Sequence, residues 1–303
     1  MSATSVLLQQ GPTFELVITD DASAENHFEE IQSFVSKLFP KATVRYAAGT
    51  KNCKTVLNLL KGVSSSTGFI SKELGAGDLL YDASTLESIC NHFHSAGTLM
   101  GFGSEVKFTE LPNNKVFTAP FNAPKSDLLK KEPFKIDHTD QAVLIAKNAD
   151  WIPGPTQFYE KDFFERLLTK LSDEYGVLYC EDFTSVLGLF EAEMSFLPKP
   201  LVWYKWGDGI STNGSKESRK RMYADHRSFY NGLKHQHSSV PGIRTACRLF
   251  TLREFAALHT PVAGLLQRSV ANSYESSCSE TYTLTPLFHE TREIVDSYLH
   301  RGR

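Results

Sequence analysis

The stretch Phe14-Glu-Leu-Val-Ile-Thr-Asp-Asp-Ala-Ser23 decides how the rest of the chain is interpreted. Its first six residues are rich in β-branched and aromatic side chains, which is typical of a buried strand. Two adjacent carboxylates follow, Asp20 and Asp21, and Ser23 then stands where the N-cap of a helix is expected. The stretch therefore predicts a strand that carries two acids at its carboxyl end, directly before a helix.

The segment Ala24–Phe39 has the apolar spacing of one helical face. Ligands of open α/β sheets bind at the carboxyl ends of strands, so Asp20 and Asp21 are candidates for ligand binding. The alternative is that the two acids only cap the turn. The apolar residues that define the helical face are Phe28, Ile31, Phe34, Val35, Leu38 and Phe39.

Strands and helices alternate over the following residues, with strands at Thr43–Ala47 and Gly68–Ser71 and helices at Cys53–Val63 and Thr85–Ser95. This alternation predicts βαβ units, and hence an α/β fold with a mostly parallel sheet between two layers of helices.

Beyond residue 98 the periodicity changes to strand-like alternation over Thr98–Thr118, and Pro112–Pro133 is predicted to be a surface loop. Three helices and one proline-containing edge strand are predicted next, and the chain after Asp208 is predicted to be mostly helical. Their bounds are Gln141–Ala149, Lys161–Leu171, Tyr179 to about Glu191, and Phe196–Trp206 for the strand.

The composition is that of an ordinary globular protein, with 303 residues, 41% hydrophobic, 22% charged and a mean hydropathy of −0.26. A net charge of −3 argues against electrostatic binding of nucleic acid. The five cysteines are dispersed, which argues against a disulfide framework and favours a reducing compartment. The sequence shows no apolar run of membrane-spanning length and no leader, so we expect a cytoplasmic protein.

Two further acidic sites are predicted at strand ends, beside small or turn-forming residues. Asp78 ends Gly75-Ala-Gly-Asp, where a lone carboxylate can hold a divalent ion that bridges two phosphates, or can cap the next helix. Glu181 and Asp182 begin a predicted helix, and either one is a general base for a hydroxyl nucleophile or both only stabilise the helix end. Three acidic sites in this order are stronger evidence for a shared site than any one of them.

Two other features have two interpretations each. The turn Gly49-Thr-Lys51-Asn52 either cradles a nucleotide or is only a turn. A basic cluster is either a solvated helix face or a contact for a diphosphate or an anionic, lipid-linked acceptor at a membrane surface. This cluster comprises Lys216, Arg219, Lys220, Arg221 and Arg227.

The stretch from Ser5 to about Ser211 resembles the family 2 glycosyltransferases, which have the GT-A, nucleotide-diphospho-sugar transferase fold. The resemblance covers about two thirds of the chain and depends on the order and intervals of several motifs. These motifs are the strand that ends in Asp-Asp-Ala-Ser23, the turn Gly49–Asn52, the stretch Gly68–Leu79, the turn Gly154–Tyr159, the acidic pair Glu181-Asp182 and the strand Leu201–Lys205.

The resemblance implies an inverting, metal-dependent transfer of a sugar from a nucleotide-diphospho-sugar to a hydroxyl of a glycan or lipid-linked acceptor. A UDP-sugar is the expected donor. Asp21, with Asp20, would bind the base of the nucleotide, and Gly49 and Lys51 would lie near the base or ribose.

The same resemblance implies that Asp78, beside Gly77, holds Mn²⁺ or Mg²⁺ on the diphosphate. Asp182 would then deprotonate the acceptor hydroxyl, and Glu181 would help to bind the acceptor. The implied organisation is a GT-A domain over residues 1–212 and a helical extension over residues 213–303. Peripheral contact with the inner face of the membrane is also expected.

This sequence departs from the family pattern in three ways. Its first residues correspond to the family's first helix, so we expect the family's opening strand to be lacking. Ala76 stands where the metal motif often has an earlier aspartate. Trp206-Gly207-Asp208 stands where the family often has basic or histidine residues after the closing strand. These departures keep a second hypothesis open, namely a catalytically inactive relative that binds a nucleotide or a partner.

Overall fold

The computed structural model describes residues 1–110, 116–121, 124–130, 136–207, 216–259 and 282–301. The helices are α1 Ser2–Leu7, α2 Phe28–Leu38, α3 Lys54–Ser65, α4 Thr85–Ala96, α5 His138–Asn148, α6 Lys161–Asp173, α7 Phe183–Gly188, α8 Lys216–Gln236, α9 Ile243–His259 and a last helix, Pro286–Arg301. The strands are β1 Leu16–Asp20, β2 Val44–Ala48, β3 Ile70–Ser71, β4 Leu79–Leu80, β5 Met100–Glu110, β6 Val116–Phe121, β7 Gln157–Glu160 and β8 Met194–Lys205.

The strands form two sheets. β1 and β2 pair in parallel, and the second sheet has the order β3-β7-β5-β8-β4, with β6 paired to β5. The long pairing of β5 with β8 is parallel, and the other four pairings of the second sheet are antiparallel. The predicted α/β class is confirmed. Strand direction is more mixed than the alternation predicted. β6 follows β5 along the chain and pairs with it antiparallel, β7 pairs antiparallel with both β3 and β5, and β4 pairs antiparallel with β8.

The N-terminal elements lie close to their predicted positions, with one correction. Ser23 is not an N-cap, because α2 begins five residues later and His27 is its N-cap residue. The N–H of Ser23 donates instead to Asp20 Oδ2 at 3.0 Å. This bond closes a tight turn in which Ala22 has a φ of 59°. The turn therefore ends strand β1, and helix α2 begins only at Phe28.

Strand β8 is not the predicted edge strand, since it lies between β5 and β4. Its prolines are accommodated by an irregularity in the pairing with β5. Phe102 pairs with Phe196 and Ser104 with Pro200, so two residues of β5 span four of β8. Proline in an inner strand is found mainly at such bulges, because it cannot donate to the ladder.

Three other predicted elements also need correction. Residues 116–121 of the predicted Pro112–Pro133 loop form strand β6, which pairs with β5; other parts of this segment lie outside the described residues. A helix was predicted from Tyr179 to about Glu191, but the structure has only the six-residue helix α7 there. Neither Asp78 nor Glu181 follows directly on a strand, because β3 ends at Ser71 and an irregular segment precedes α7.

The main hydrophobic core joins both parts of the chain. Phe164 and Leu167 of α6 belong to the same buried cluster as Phe229 and Leu233 of α8. Each such side chain contributes roughly 1.5–3 kcal/mol of burial free energy. Ile89 and Phe93 of α4 pack with Phe158 and Leu201 of the sheet, so helices cover both of its faces. The predicted boundary after residue 212 lies outside the described residues and stays a prediction.

Among the helices that the structure describes, none is long and apolar enough to cross a membrane.

Candidate active site

The acids at the end of β1 are held by backbone N–H groups. Asp21 accepts hydrogen bonds from Cys53 N (2.6 Å), Cys53 Sγ (3.0 Å) and Lys54 N (2.8 Å), at the start of α3. Burial alone would raise the pKa of Asp21, but these hydrogen bonds lower it overall. Hydrogen bonds from Ser23 likewise lower the pKa of Asp20. Both groups are therefore stable carboxylates.

The turn after β2 lies directly beside this strand end. Gly49 N donates to Asp20 O at 2.8 Å, which continues the pairing of β1 with β2. Lys51 follows in the bend after β2 and is exposed. A second lysine, Lys61 of α3, donates from Nζ to Asp20 O at 2.9 Å. The predicted nucleotide residues thus share one corner of the sheet.

Asp78 lies in a turn that leads into β4. Its Oδ1 accepts a hydrogen bond from Lys205 N (2.8 Å) on β8, and its own N–H donates to Gly75 O (3.1 Å). The side chain is only 5% exposed, and burial raises its pKa to about 7. Gly77, with a φ of 101°, donates its N–H to Ser2 Oγ of α1. Asp78 does not cap a helix, because a strand follows it.

Glu181 and Asp182 immediately precede α7. Asp182 is the N-cap residue by position, but its side chain makes no capping hydrogen bond. The backbone carbonyls of the pair are fixed instead, by the hydroxyls of Thr184 and Ser185 at 2.7 Å each. The hydrogen-bonded backbone thus fixes the positions of both residues, and the Asp182 carboxyl group does not cap the helix.

Desolvation dominates the electrostatics of this pair. Burial raises the pKa of Asp182 to about 6, although the positive charge of His226 opposes the rise. Burial, followed by the neighbouring charges of Glu73 and Asp182, raises the pKa of Glu181 well above its ordinary value. A carboxyl with a pKa near neutral can take up and release a proton under working conditions.

Two residues that the sequence did not single out, Lys72 and Glu73, lie in the same cluster. Lys72 Nζ donates to Glu73 O (2.6 Å) and to Pro155 O. Burial raises the pKa of Glu73 and lowers that of Lys72. In the sequence they follow a two-residue strand and have the composition of a solvated turn, so no pattern there predicts their burial.

Gly154 packs against two of these acids. A Cβ on Gly154 would overlap Glu73 Oε1 and would lie 3.0 Å from Glu181 Oε1. Glycine therefore permits Glu73 and Glu181 to converge on the same point. The negative charges of both Asp78 and Asp182 contribute to the raised pKa of Glu73. Glu73 is thus coupled electrostatically both to Asp78, the predicted metal residue, and to Asp182, the predicted base.

Helix α3 connects the remaining predicted residues to this cluster. Its N-terminal N–H groups bind Asp21, and Val56 N one turn later donates to Leu178 O at 3.0 Å. Leu178 lies three residues before Glu181. The structure therefore places the strand end with Asp21 and the segment that carries Glu181 on either side of one helix end.

No group of three or more histidine, cysteine, aspartate or glutamate side chains among the described residues is arranged to hold a metal ion. One carboxylate with substrate phosphates is enough for Mg²⁺ or Mn²⁺ in many sites. Close to Asp78, Glu105 of β5 is 4% exposed, and its Oε2 is buried without a hydrogen-bond partner. A buried carboxyl oxygen without a hydrogen-bond partner at this point is compatible with a bound cation.

The basic cluster lies on α8, and the side chains of two of its residues, Lys216 and Arg219, are outside the described part of the structure. Lys220, Arg221 and Arg227 are exposed on α8, as the solvated-face interpretation requires. Trp203 is fully buried, whereas Trp206 is 44% exposed, with Lys107 Nζ 3.4 Å from the centre of its ring.

No protein-family model matches the sequence, and a sequence comparison with curated proteins finds no match. Solved structures do match its fold. S. aureus TarS 1–349 in complex with UDP-GlcNAc is 12% identical, with a TM-score of 0.56 over 84% of this chain and 68% of that one. A mannosyltransferase from Pyrobaculum calidifontis in complex with GDP-Man and Mn²⁺ is 13% identical, with a TM-score of 0.53 over 100% of this chain and 83% of that one.

These similarities confirm the GT-A type of α/β fold. At such low identity they concern the fold alone. The chain also spans only 42% of a longer TarS structure, to which it is similar with a TM-score of 0.56.

Proposed function

We propose that this protein is an inverting, metal-dependent glycosyltransferase of family 2 type. It would move a sugar from a nucleotide-diphospho-sugar to a hydroxyl of a glycan or lipid-linked acceptor. The observation that carries the proposal is the approach of Glu73 and Glu181 to Gly154, together with the electrostatic coupling of Glu73 to Asp182 and Asp78, in a fold shared with structures that hold nucleotide sugars.

Asp78 is the residue that would hold Mn²⁺ or Mg²⁺. It is buried, and burial followed by the charge of Asp78 raises the pKa of Glu105 to about 8, so a cation held there would stabilise the ionised form of both carboxyl groups. When bound, a divalent ion supplies positive charge to the diphosphate as it leaves. Lys205 fixes the direction of the Asp78 carboxyl through its backbone N–H.

Asp182 would accept the proton of the acceptor hydroxyl. A sugar hydroxyl is a weak nucleophile at neutral pH, so a base within hydrogen-bond reach contributes some 10²–10⁴ in rate. Asp182 is ionised at neutral pH because its pKa is about 6, whereas burial and two neighbouring acids keep a proton on Glu181 more readily. A protonated Glu181 would donate a hydrogen bond to another acceptor oxygen.

The corner with Asp20, Asp21, Gly49 and Lys51 would bind the nucleoside. The structures of similar fold hold UDP-GlcNAc, UDP or GDP-Man, and a UDP-sugar is our first expectation for this chain. Asp21 remains a hydrogen-bond acceptor, since each carboxylate oxygen can accept more than one bond. We expect activity in the cytoplasm and, for a lipid-linked acceptor, contact of the exposed basic face of α8 with anionic lipid.

Thermal unfolding with nucleotides provides the first test. UDP at a hundred times its dissociation constant should stabilise the folded chain by about 2.7 kcal/mol in the presence of Mn²⁺, and by much less with a chelator. Transfer of sugar from a panel of UDP-, GDP-, CDP- and dTDP-sugars to saccharide acceptors should then be detected by mass spectrometry.

The alternative is a catalytically inactive relative that binds a nucleotide or a partner. Ala76, at the position where the family's metal motif often has an earlier aspartate, favours it. Nucleotide binding that does not depend on Mn²⁺, together with no transfer from any donor of the panel, would establish this alternative.

A further inference from the structure

The segment that leads into Glu181-Asp182 has no regular secondary structure of its own to hold it. A single side chain from the C-terminal part of the chain compensates for this. Asp225 Oδ2 on α8 accepts hydrogen bonds from Leu178 N (3.0 Å), Tyr179 N (2.5 Å) and Cys180 N (3.1 Å). Asp225 is 4% exposed, so these three bonds are shielded from water. Bonds of N–H groups to a carboxylate are roughly twice as strong as neutral ones.

Two other contacts from α8 hold the same segment. Ser228 Oγ donates to Tyr175 O at 2.5 Å, just before the segment. The His226 ring lies 5.3 Å from the ring of Phe183, just after the acidic pair. Its positive charge also opposes the rise in the pKa of Asp182. Helix α8 therefore contacts this segment before, within and after the turn that precedes Asp182.

We propose that Asp225 is a positioning residue for the acidic pair: its carboxylate fixes the backbone of residues 178–180 and thereby directs Glu181 and Asp182 toward the acceptor. The inference depends on the proposed function. It makes α8, which lies in the predicted extension 213–303, a necessary part of the active site. A misplacement of about 1 Å in such a group costs on the order of 100-fold in rate.

The test compares Asp225→Ala and Asp225→Asn with a matched control, Asp150→Ala. Asp150 is 3% exposed and also accepts three backbone N–H bonds, from Lys125 (2.9 Å), Ser126 (3.1 Å) and Trp151 (3.0 Å). It touches neither member of the acidic pair in these bonds. The two alanine variants should lose similar stability, because each leaves three N–H groups without their carboxylate.

We expect kcat to fall by about 100-fold in Asp225→Ala, with the donor KM and the affinity for UDP and Mn²⁺ unchanged. Asp225→Asn, which retains an acceptor oxygen, should fall less and serves if the alanine variant does not fold. Hydrogen–deuterium exchange of the amides of residues 178–180 should accelerate in both. Asp150→Ala should keep its kcat.

Two results would overturn the inference in distinguishable ways. If both Asp225 variants keep the kcat of Asp150→Ala, the positioning role is wrong and the proposed function stands. If the unaltered chain transfers no sugar, the proposed function is wrong and the positioning role is wrong with it.

Discussion

The predicted site residues include two pairs of adjacent acids, Asp20-Asp21 and Glu181-Asp182, and the fold gives them opposite properties. Around Asp20 and Asp21, hydrogen bonds from neighbouring groups lower the pKa values. Around Glu181 and Asp182, desolvation and neighbouring acids raise them. The first pair is therefore a permanent acceptor, suited to binding, and the second can exchange a proton. The difference follows from the surroundings, because the side chains are nearly the same.

Loss of the Asp182 carboxylate should break this comparison most clearly. Asp182→Asn removes the base, so we expect kcat to fall by some 10²–10⁴-fold while nucleotide binding is retained. Steady-state kinetics and calorimetry of UDP binding provide the two measurements. Wild-type turnover in this variant would show that another group is the base.

Asp78→Ala should have the next largest effect. Loss of the only carboxylate assigned to the metal should weaken binding of Mn²⁺ together with UDP by about 10–100-fold and abolish the dependence of UDP binding on metal. Calorimetry with Mn²⁺ and with a chelator measures this. Asp162→Ala, at an exposed position of α6, is the control. An unchanged requirement for Mn²⁺ in Asp78→Ala would remove Asp78 from the metal site.

Asp21→Ala should act on binding and stability but not directly on proton transfer. It leaves the N–H groups of Cys53 and Lys54 without their carboxylate, which should cost about 1–3 kcal/mol of unfolding free energy. Affinity for UDP should fall, whereas kcat at saturating donor should change little. A loss of kcat as large as in Asp182→Asn would contradict the separation of binding and proton transfer.

The pH dependence of stability should show the smallest difference between the two pairs. The folded chain holds protons on Asp78 and Asp182 at pH values where the unfolded chain has lost them, because burial raises both pKa values. Stability should therefore fall as the pH rises from about 4 to about 7. The lowered pKa of Asp21 acts in the opposite sense, since it stabilises the fold above about pH 3.9 and less below.

Urea denaturation at a series of pH values measures this dependence. Asp182→Asn should reduce the slope of the curve between about pH 4 and about pH 6, while Asp78 should maintain the remaining slope up to about pH 7. Asp21→Asn should leave this part of the curve unchanged. Equal curves for the unaltered chain and Asp182→Asn would contradict the raised pKa.

Local patterns were sufficient to predict much of this protein. The strand before Asp20 and the helical periodicities of α3, α4 and α6 depend on near neighbours, and each was predicted to within a few residues. The start of α2 was wrong, because the bond from Ser23 to Asp20 competes with capping. The position of β8 was wrong because proline indicated an edge, whereas a bulge allows it inside the sheet.

By itself, the sequence determined the α/β class, the strand that ends in two acids, and which acidic residues were candidates for a site. Only the tertiary structure decided that Lys72 and Glu73 are half-buried near them, that Gly154 makes room for two carboxyl groups, and that Asp225 holds the turn before Asp182. The physical reason is that the periodicity of a sequence indicates only which face of a helix or strand is apolar. Desolvation and charge coupling depend on groups that are distant in sequence and meet only when the chain folds.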